Sequence, residues 1–116
     1  MIFSRKNKLC IVWTSQDKEV AMKVALMYAF NAKTKGWWKK VNLILWGPSN
    51  LLLASDSEVQ AQILDIIHAG VIVEACSSCT DQYGLTDKIE KMGITVRPMS
   101  LPFTEYIKDG YQVLTY

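Results

Sequence analysis

The sequence predicts an α/β domain built on a mostly parallel, five-stranded sheet with helices on both faces. Three observations carry that expectation. Short apolar, β-branched runs alternate with helical patterns along the whole chain, the first run is apolar without interruption, and glycines punctuate the ends of segments. The 116 residues suffice for one domain, 1–116, and leave no room for a second.

Leu9-Cys10-Ile11-Val12-Trp13 is the first strand, and an unbroken apolar run of this kind suits a strand covered on both faces. Ser15 is placed to cap a helix whose first turn holds Asp17 and Glu19, carboxylates that favour the positive end of the helix dipole; the helix runs to Lys33. Val41 to Trp46 is strand two, stopped by Gly47-Pro48. Ser57-Glu58-Val59-Gln60 has capping-box spacing, and Val59, Ile63, Ile66 and Ile67 share one face of the helix that follows, which ends at Gly70. Val71 to Cys76 is strand three. Cys76 to Tyr83 begins a short helix closed by Gly84, and Leu85, Ile89 and Met92 mark another that ends at Gly93. Ile94 to Arg97 is strand four, Pro102 to Asp109 a last helix ending at Gly110, and Gln112 to Tyr116 strand five.

Composition excludes several classes. A hydrophobic fraction of 50% with 21% charged residues fits a packed core and argues against disorder. A net charge of +2 names no nucleic-acid partner. The opening Met-Ile-Phe-Ser-Arg-Lys-Asn-Lys is too short in apolar length for a secretory segment, and no run approaches the roughly 20 apolar residues of a membrane span, so a cytoplasmic protein is expected. Lys33, Lys35, Lys39 and Lys40 bracket Trp37-Trp38. Lysines at a helix end complement its dipole and tryptophans anchor turns, so neither nucleic acid nor a membrane enters as partner.

The first helix has only Lys23 as a charge between Val20 and Ala32, with Met22, Leu26, Tyr28 and Phe30 spread around its circumference. A second buried face is implied, and another copy of the chain is the expected cover, which makes the protein a homo-oligomer.

In open parallel sheets chemistry sits beyond the carboxyl ends of the strands, which gathers Thr14 to Asp17, Gly47 to Asn50, Cys76 to Cys79, and Met99-Ser100. Cys76 stands where a strand gives way to a helix, so the free amides of the first turn can stabilise its thiolate. Cys79 is three residues on, close enough in a helical turn to form a disulfide or share a labile sulfur. Against this stands the reading of both as small buried apolar residues. Cys10 belongs to the core. With His68 as the lone histidine, a four-ligand metal site is not expected, nor is any cofactor. Glu74 shares strand parity with Cys76, and either accepts or relays a proton or simply reaches solvent or a salt bridge at a subunit boundary. Gly47-Pro48-Ser49-Asn50 is a βα turn in which Gly47 permits the bend and Ser49 caps; Gly47, Pro48, Ser49 and Met99 are the residues expected to shape a substrate pocket. His68 is a poor base, and Asp81 and Tyr83 carry no assignment.

Trp46-Gly47-Pro48-Ser49, Gly70-Val71 leading to Ala75-Cys76-Ser77-Ser78-Cys79, Gly84-Leu85, Met92-Gly93-Ile94, and the ending Thr104 to Thr115 together resemble the DsrE/DsrF-like family of small sulfur-relay proteins over nearly the whole chain. The resemblance implies a three-layer α/β/α subunit in trimers or hexamers, with Cys76 at the family's sulfur-accepting position in cytoplasmic sulfur transfer. Protein donors and acceptors of sulfur are the partners it implies. Sulfur carriers of the family have a small residue where this chain has Cys79, whereas another branch carries both cysteines. The expected function is therefore a persulfide carrier, sulfurtransferase-like, using Cys76. The alternatives are a CxxC dithiol redox protein and a noncatalytic oligomeric module that binds a small ligand.

Overall fold

The structure, a computed structural model, describes residues 7–116; the reading of the first residues as lacking a secretory segment falls largely on residues 1–6, outside the described ones. Five strands, β1 (Lys8–Trp13), β2 (Lys40–Leu45), β3 (Ile72–Cys76), β4 (Thr95–Arg97) and β5 (Gln112–Thr115), form one sheet in the order β4-β3-β2-β1-β5. Every pairing is parallel. The central strands β1 and β2 are buried almost throughout, whereas edge strands β4 and β5 are half-exposed. This is why the first two runs are apolar without alternation and the last two are short and mixed.

Helix α1 is continuous but uneven: α-helical over Lys18–Val20, π-helical over Ala21–Ala25 and α-helical again over Leu26–Thr34. Then follow α2 (Ser49–Ser55), α3 (Ser57–His68), α4 (Ser77–Gln82), α5 (Thr86–Glu90) and α6 (Ser100–Lys108). One face of the sheet, with Leu9, Ile11, Trp13, Leu43, Leu45, Val73 and Ala75, packs under α1, α2 and α3. The other, with Cys10, Val12, Ile44 and Cys76, packs under Met99 and α6 through Phe103 and Tyr106. The alternation of side chains along each strand thus sorts the cysteines of β1 and β3 onto the α6 side.

The inner stripe of α1 is Ala21, Ala25, Ala29 and Ala32 with Leu26, all fully buried. Small side chains let this helix lie close to the sheet. Met22, Tyr28 and Phe30 are only partly buried against that core, and Val24 and Met27 are 42% and 50% exposed. On α3 the inward residues are Val59, Ile63 and Ile66, each stabilising the fold by roughly 1.5–3 kcal/mol through removal from water.

Three caps differ from the sequence expectation. Asp17, not Ser15, caps α1: its Oδ1 accepts from the amides of Glu19 and Val20 at 2.8 and 3.2 Å, while Ser15 Oγ accepts from the amide of Asp17. Asp56, not Ser57, caps α3, accepting from Glu58 and Val59 at 2.9 and 3.1 Å. Gln60 does not reach back as a capping box requires, because its amide donates to the carbonyls of Leu53 and Ala54. Ser49 caps nothing; its hydroxyl donates to the Trp13 carbonyl at 2.6 Å and ties the start of α2 to the end of β1. In the two acidic cases a carboxylate stands beside the serine, and an ionised acceptor makes the stronger bond to a backbone amide.

Candidate functional site

Cys76 is the last residue of β3 and the residue before α4, with extended backbone dihedrals of −74° and 119°. The chain turns there because the strand ladder ends and the next residues wind into a helix closed at Gly84, whose φ of +68° only glycine adopts without strain. Cys76 is 4% exposed. Its Sγ lies 3.2 Å from Ser78 Oγ. Met99 packs in the same buried cluster as this sulfur, and Ser78 and Cys79 lie in the first turn of the helix that Cys76 precedes, although the Cys76 side chain closes no N-cap bond. Burial by itself raises the thiol pKa, but the Ser78 hydroxyl and the Met99, Ser78 and Cys79 amides together outweigh it and hold Cys76 below the ordinary thiol range. The thiolate is the nucleophilic form, and this environment favours it at a sulfur that is nearly buried.

Two residues earlier on the same strand face, Glu74 is 3% exposed. Its Oε2 accepts from Arg97 Nε at 2.6 Å, and its Oε1 accepts from the Tyr106 hydroxyl. Arg97 Nη2 also donates to Tyr106 Oη at 3.2 Å, which closes a triangle between β3, β4 and α6. Burial, with the bond to Glu74 and its charge, pushes the Tyr106 phenol up to about 12, so it stays a proton donor. Arg97 is the register partner of Cys76 across the β3–β4 pair.

Residues 7–116 match the DsrE/DsrF-like family. The chain belongs to that family. Among solved structures, this DsrE/DsrF-like chain is similar to the conserved protein of unknown function BT1422 from Bacteroides thetaiotaomicron, with 44% identity, 95% of each chain covered and a TM-score of 0.91. It is also similar in fold to the ychN protein from E. coli, at 17% identity over 95% of this chain and 99% of that one, with a TM-score of 0.76. No curated protein matches.

The three cysteines of this DsrE/DsrF-like chain are free thiols. Cys79, on α4, is partly exposed and packs into the cluster that holds Cys76. Cys10 is wholly buried, and burial, with the nearby Glu74 charge, pushes its thiol up to about 12, which suits the core role read from the sequence. Met99 is fully buried in the Cys76 cluster. Gly47 and Pro48 form the turn after β2 that leads into α2, Gly47 with φ of +78°, and Ser49 is buried with its hydroxyl committed to Trp13. Glu74 makes its ion pair within the chain, not with solvent. His68 ends α3, Asp81 accepts from Thr86 Oγ1, and Trp38 Nε1 donates to Tyr28 Oη. Among the described residues no group of three or more His, Cys, Asp or Glu side chains comes together as a metal would need.

Ser78, Arg97 and Tyr106 were not singled out from the sequence. A hydroxyl two residues after a strand-terminal cysteine was a usable signal for Ser78. Arg97 and Tyr106 meet Glu74 across 23 and 32 residues of chain, and only the strand order brings them together.

Proposed function

We propose that this protein carries sulfane sulfur as a persulfide on Cys76. The observation that supports the reading is the Cys76 sulfur, almost buried yet held toward its thiolate form by the Ser78 hydroxyl and three amides. The thiolate attacks the terminal sulfur of a donor persulfide, the donor leaves as a thiolate, and Cys76 holds the S–SH group. An acceptor thiolate then takes the terminal sulfur and releases Cys76 as a thiolate, so no net oxidation occurs. Burial keeps water and stray thiols from the carried sulfur, while the family to which the chain belongs supports protein donors and acceptors as the partners.

Incubation of the full chain with a sulfane-sulfur donor, followed by peptide-resolved mass spectrometry, is expected to show a gain of one sulfur, about 32 Da, on the Cys76 peptide. Loss of two hydrogens between Cys76 and Cys79 with no sulfur gained would instead mark a dithiol redox protein. No change at all, with slow alkylation of the folded chain, would mark a module whose cysteines only pack.

The reading includes a homo-oligomer, a trimer or hexamer. Its support is the exposed apolar surface of α1 and α3, where Val24, Met27 and Leu64 lie open to solvent. Sedimentation at low micromolar concentration is expected to show a species of at least three chains, and a stable monomer contradicts it.

A further inference from the structure

The Glu74 carboxylate is buried beside the candidate sulfur, and a buried ion pair is weak grounds for stability, since apolar residues of similar volume commonly do as well. The pair therefore needs another explanation, and its anchoring points supply one. Arg97 ends β4, and only Pro98 and Met99 separate it from the start of α6. Tyr106 lies seven residues beyond Met99, two turns along α6, and so returns to the same side of that helix. Both residues are tied to Glu74, on the strand that carries Cys76 two residues later. Between the two ties the Met99 carbonyl accepts from the Phe103 amide at 2.8 Å, and the Phe103 ring packs edge-on against Trp46.

We propose that Glu74, Arg97 and Tyr106 are positioning residues that clamp the β4–α6 connection to β3 and so hold Met99 in the buried cluster around the Cys76 sulfur. The inference rests on Cys76 being the reactive sulfur of the proposed function, and it assigns the cluster no contact with a sulfur donor. Loosening the clamp lets Met99 drift from the cluster it shares with Cys76, and the surroundings that favour the thiolate are disturbed.

The titratable and charged groups in or beside the cluster that holds this sulfur are Cys79 from α4, Glu74 on its own strand, Arg97 from β4, Tyr106 from α6, Tyr111 just before β5 and Cys10 from β1. Removing Glu74 or Arg97 changes the local charge as well as the geometry, so variants that preserve charge separate the two effects. Tyr106→Phe removes both hydroxyl bonds with no change in charge. Arg97→Lys keeps the cation but replaces the planar fork that serves Glu74 and Tyr106 together.

The test is the pH dependence of iodoacetamide alkylation, followed on the Cys76 peptide of the full chain, with near-ultraviolet circular dichroism to confirm the fold. The wild type is expected to reach half its limiting rate below the pH of about 8.5 typical of a free thiol. In Tyr106→Phe and in Arg97→Lys the profile moves upward, and the thiolate fraction at neutral pH falls by roughly threefold or more, an upward shift of about half a unit. Tyr111→Phe, which keeps its ring against Tyr106 at a centroid distance of 5.0 Å, keeps the wild-type profile. A wild-type profile in either folded clamp variant overturns the proposal, as does an equal shift in Tyr111→Phe. Alkylation needs no sulfur donor, so a shifted profile in a chain that never gains sulfur leaves the clamp standing and removes the carrier function.

Discussion

Sulfur loading is expected to fall to background in Cys76→Ser and to persist in Cys79→Ser. The serine hydroxyl is close in size to the thiol it replaces, sits at the same strand end and leaves the two packed faces of the sheet untouched, so the folded chain survives. A hydroxyl of ordinary acidity has no thiolate counterpart, and the amides that favour an anionic sulfur cannot make it a sulfur nucleophile. Retained loading in Cys76→Ser would move the acceptor to another sulfur. Cys79 has a different part. It is three residues along the turn that Cys76 opens, at a spacing of roughly 5–6 Å between helix neighbours, and its side chain enters the same cluster. Its thiolate can attack Cys76-S-SH at the Cys76 sulfur. That forms the Cys76–Cys79 disulfide, breaks the sulfur–sulfur bond of the persulfide and releases the terminal sulfur as sulfide. An intramolecular thiol acts at an effective concentration of millimolar or more, so the persulfide of Cys79→Ser is expected to outlast that of the wild type by at least about tenfold. Timed mass spectrometry after removal of the donor reads this directly. Equal lifetimes would show that Cys79 does not resolve the carried sulfur.

The parts of this protein that were legible in the sequence are those decided by burial on a short range. The strand at Leu9 to Trp13 is uniformly apolar because helices cover one face and α6 the other, and its parallel neighbours follow from the helices between them. Cys76 was legible for the same reason: an apolar, β-branched run ends there and a short helix closed by Gly84 begins. What escaped was decided by competition or by distance. Ser15 and Ser57 are good caps on propensity, yet Asp17 and Asp56 stand near enough to take the amides, and the charged acceptor prevails. Asp56 also lies between α2 and α3, so a carboxylate that starts one helix follows directly on another, and α2 itself was hidden behind the turn at Gly47-Pro48. The alanine stripe of α1 escaped because the large side chains of that helix lie mostly off its buried seam. The Glu74 triangle depends on β4 lying beside β3 and on α6 crossing that face, a strand order that no local pattern encodes.

That triangle carries the largest expected stability effect outside the hydrophobic core. Arg97→Met removes the cation 2.6 Å from a carboxylate that is 3% exposed, and the Tyr106 hydroxyl alone is left to satisfy it. Breaking one side of a buried pair typically costs about 3–5 kcal/mol because the remaining charge is uncompensated. Arg97 is itself 43% exposed, so water reaches its vacated position and screens the deficit; roughly 2–4 kcal/mol is the expected loss at neutral pH. Urea unfolding of the variant against the wild type measures it. The converse comparison tests whether the loss comes from the stranded charge or from packing. Glu74→Leu in the Arg97→Met background takes the carboxylate away and leaves apolar surface beside Ile44 of β2, on the sheet face that also carries position 97, near a Tyr106 hydroxyl that is partly open to water. Most of the lost stability is then expected to return, because an apolar pair substitutes for a buried ion pair at little cost. The sulfur chemistry should not return with it: the double variant still lacks both ties from β4 and α6 to β3, so its Cys76 titrates higher than the wild type's in a chain of near-native stability. Recovery of stability without recovery of the low thiol pKa separates what holds this fold together from what tunes its sulfur. A double variant as unstable as Arg97→Met would place the loss in packing at the sheet edge and not in the buried charge.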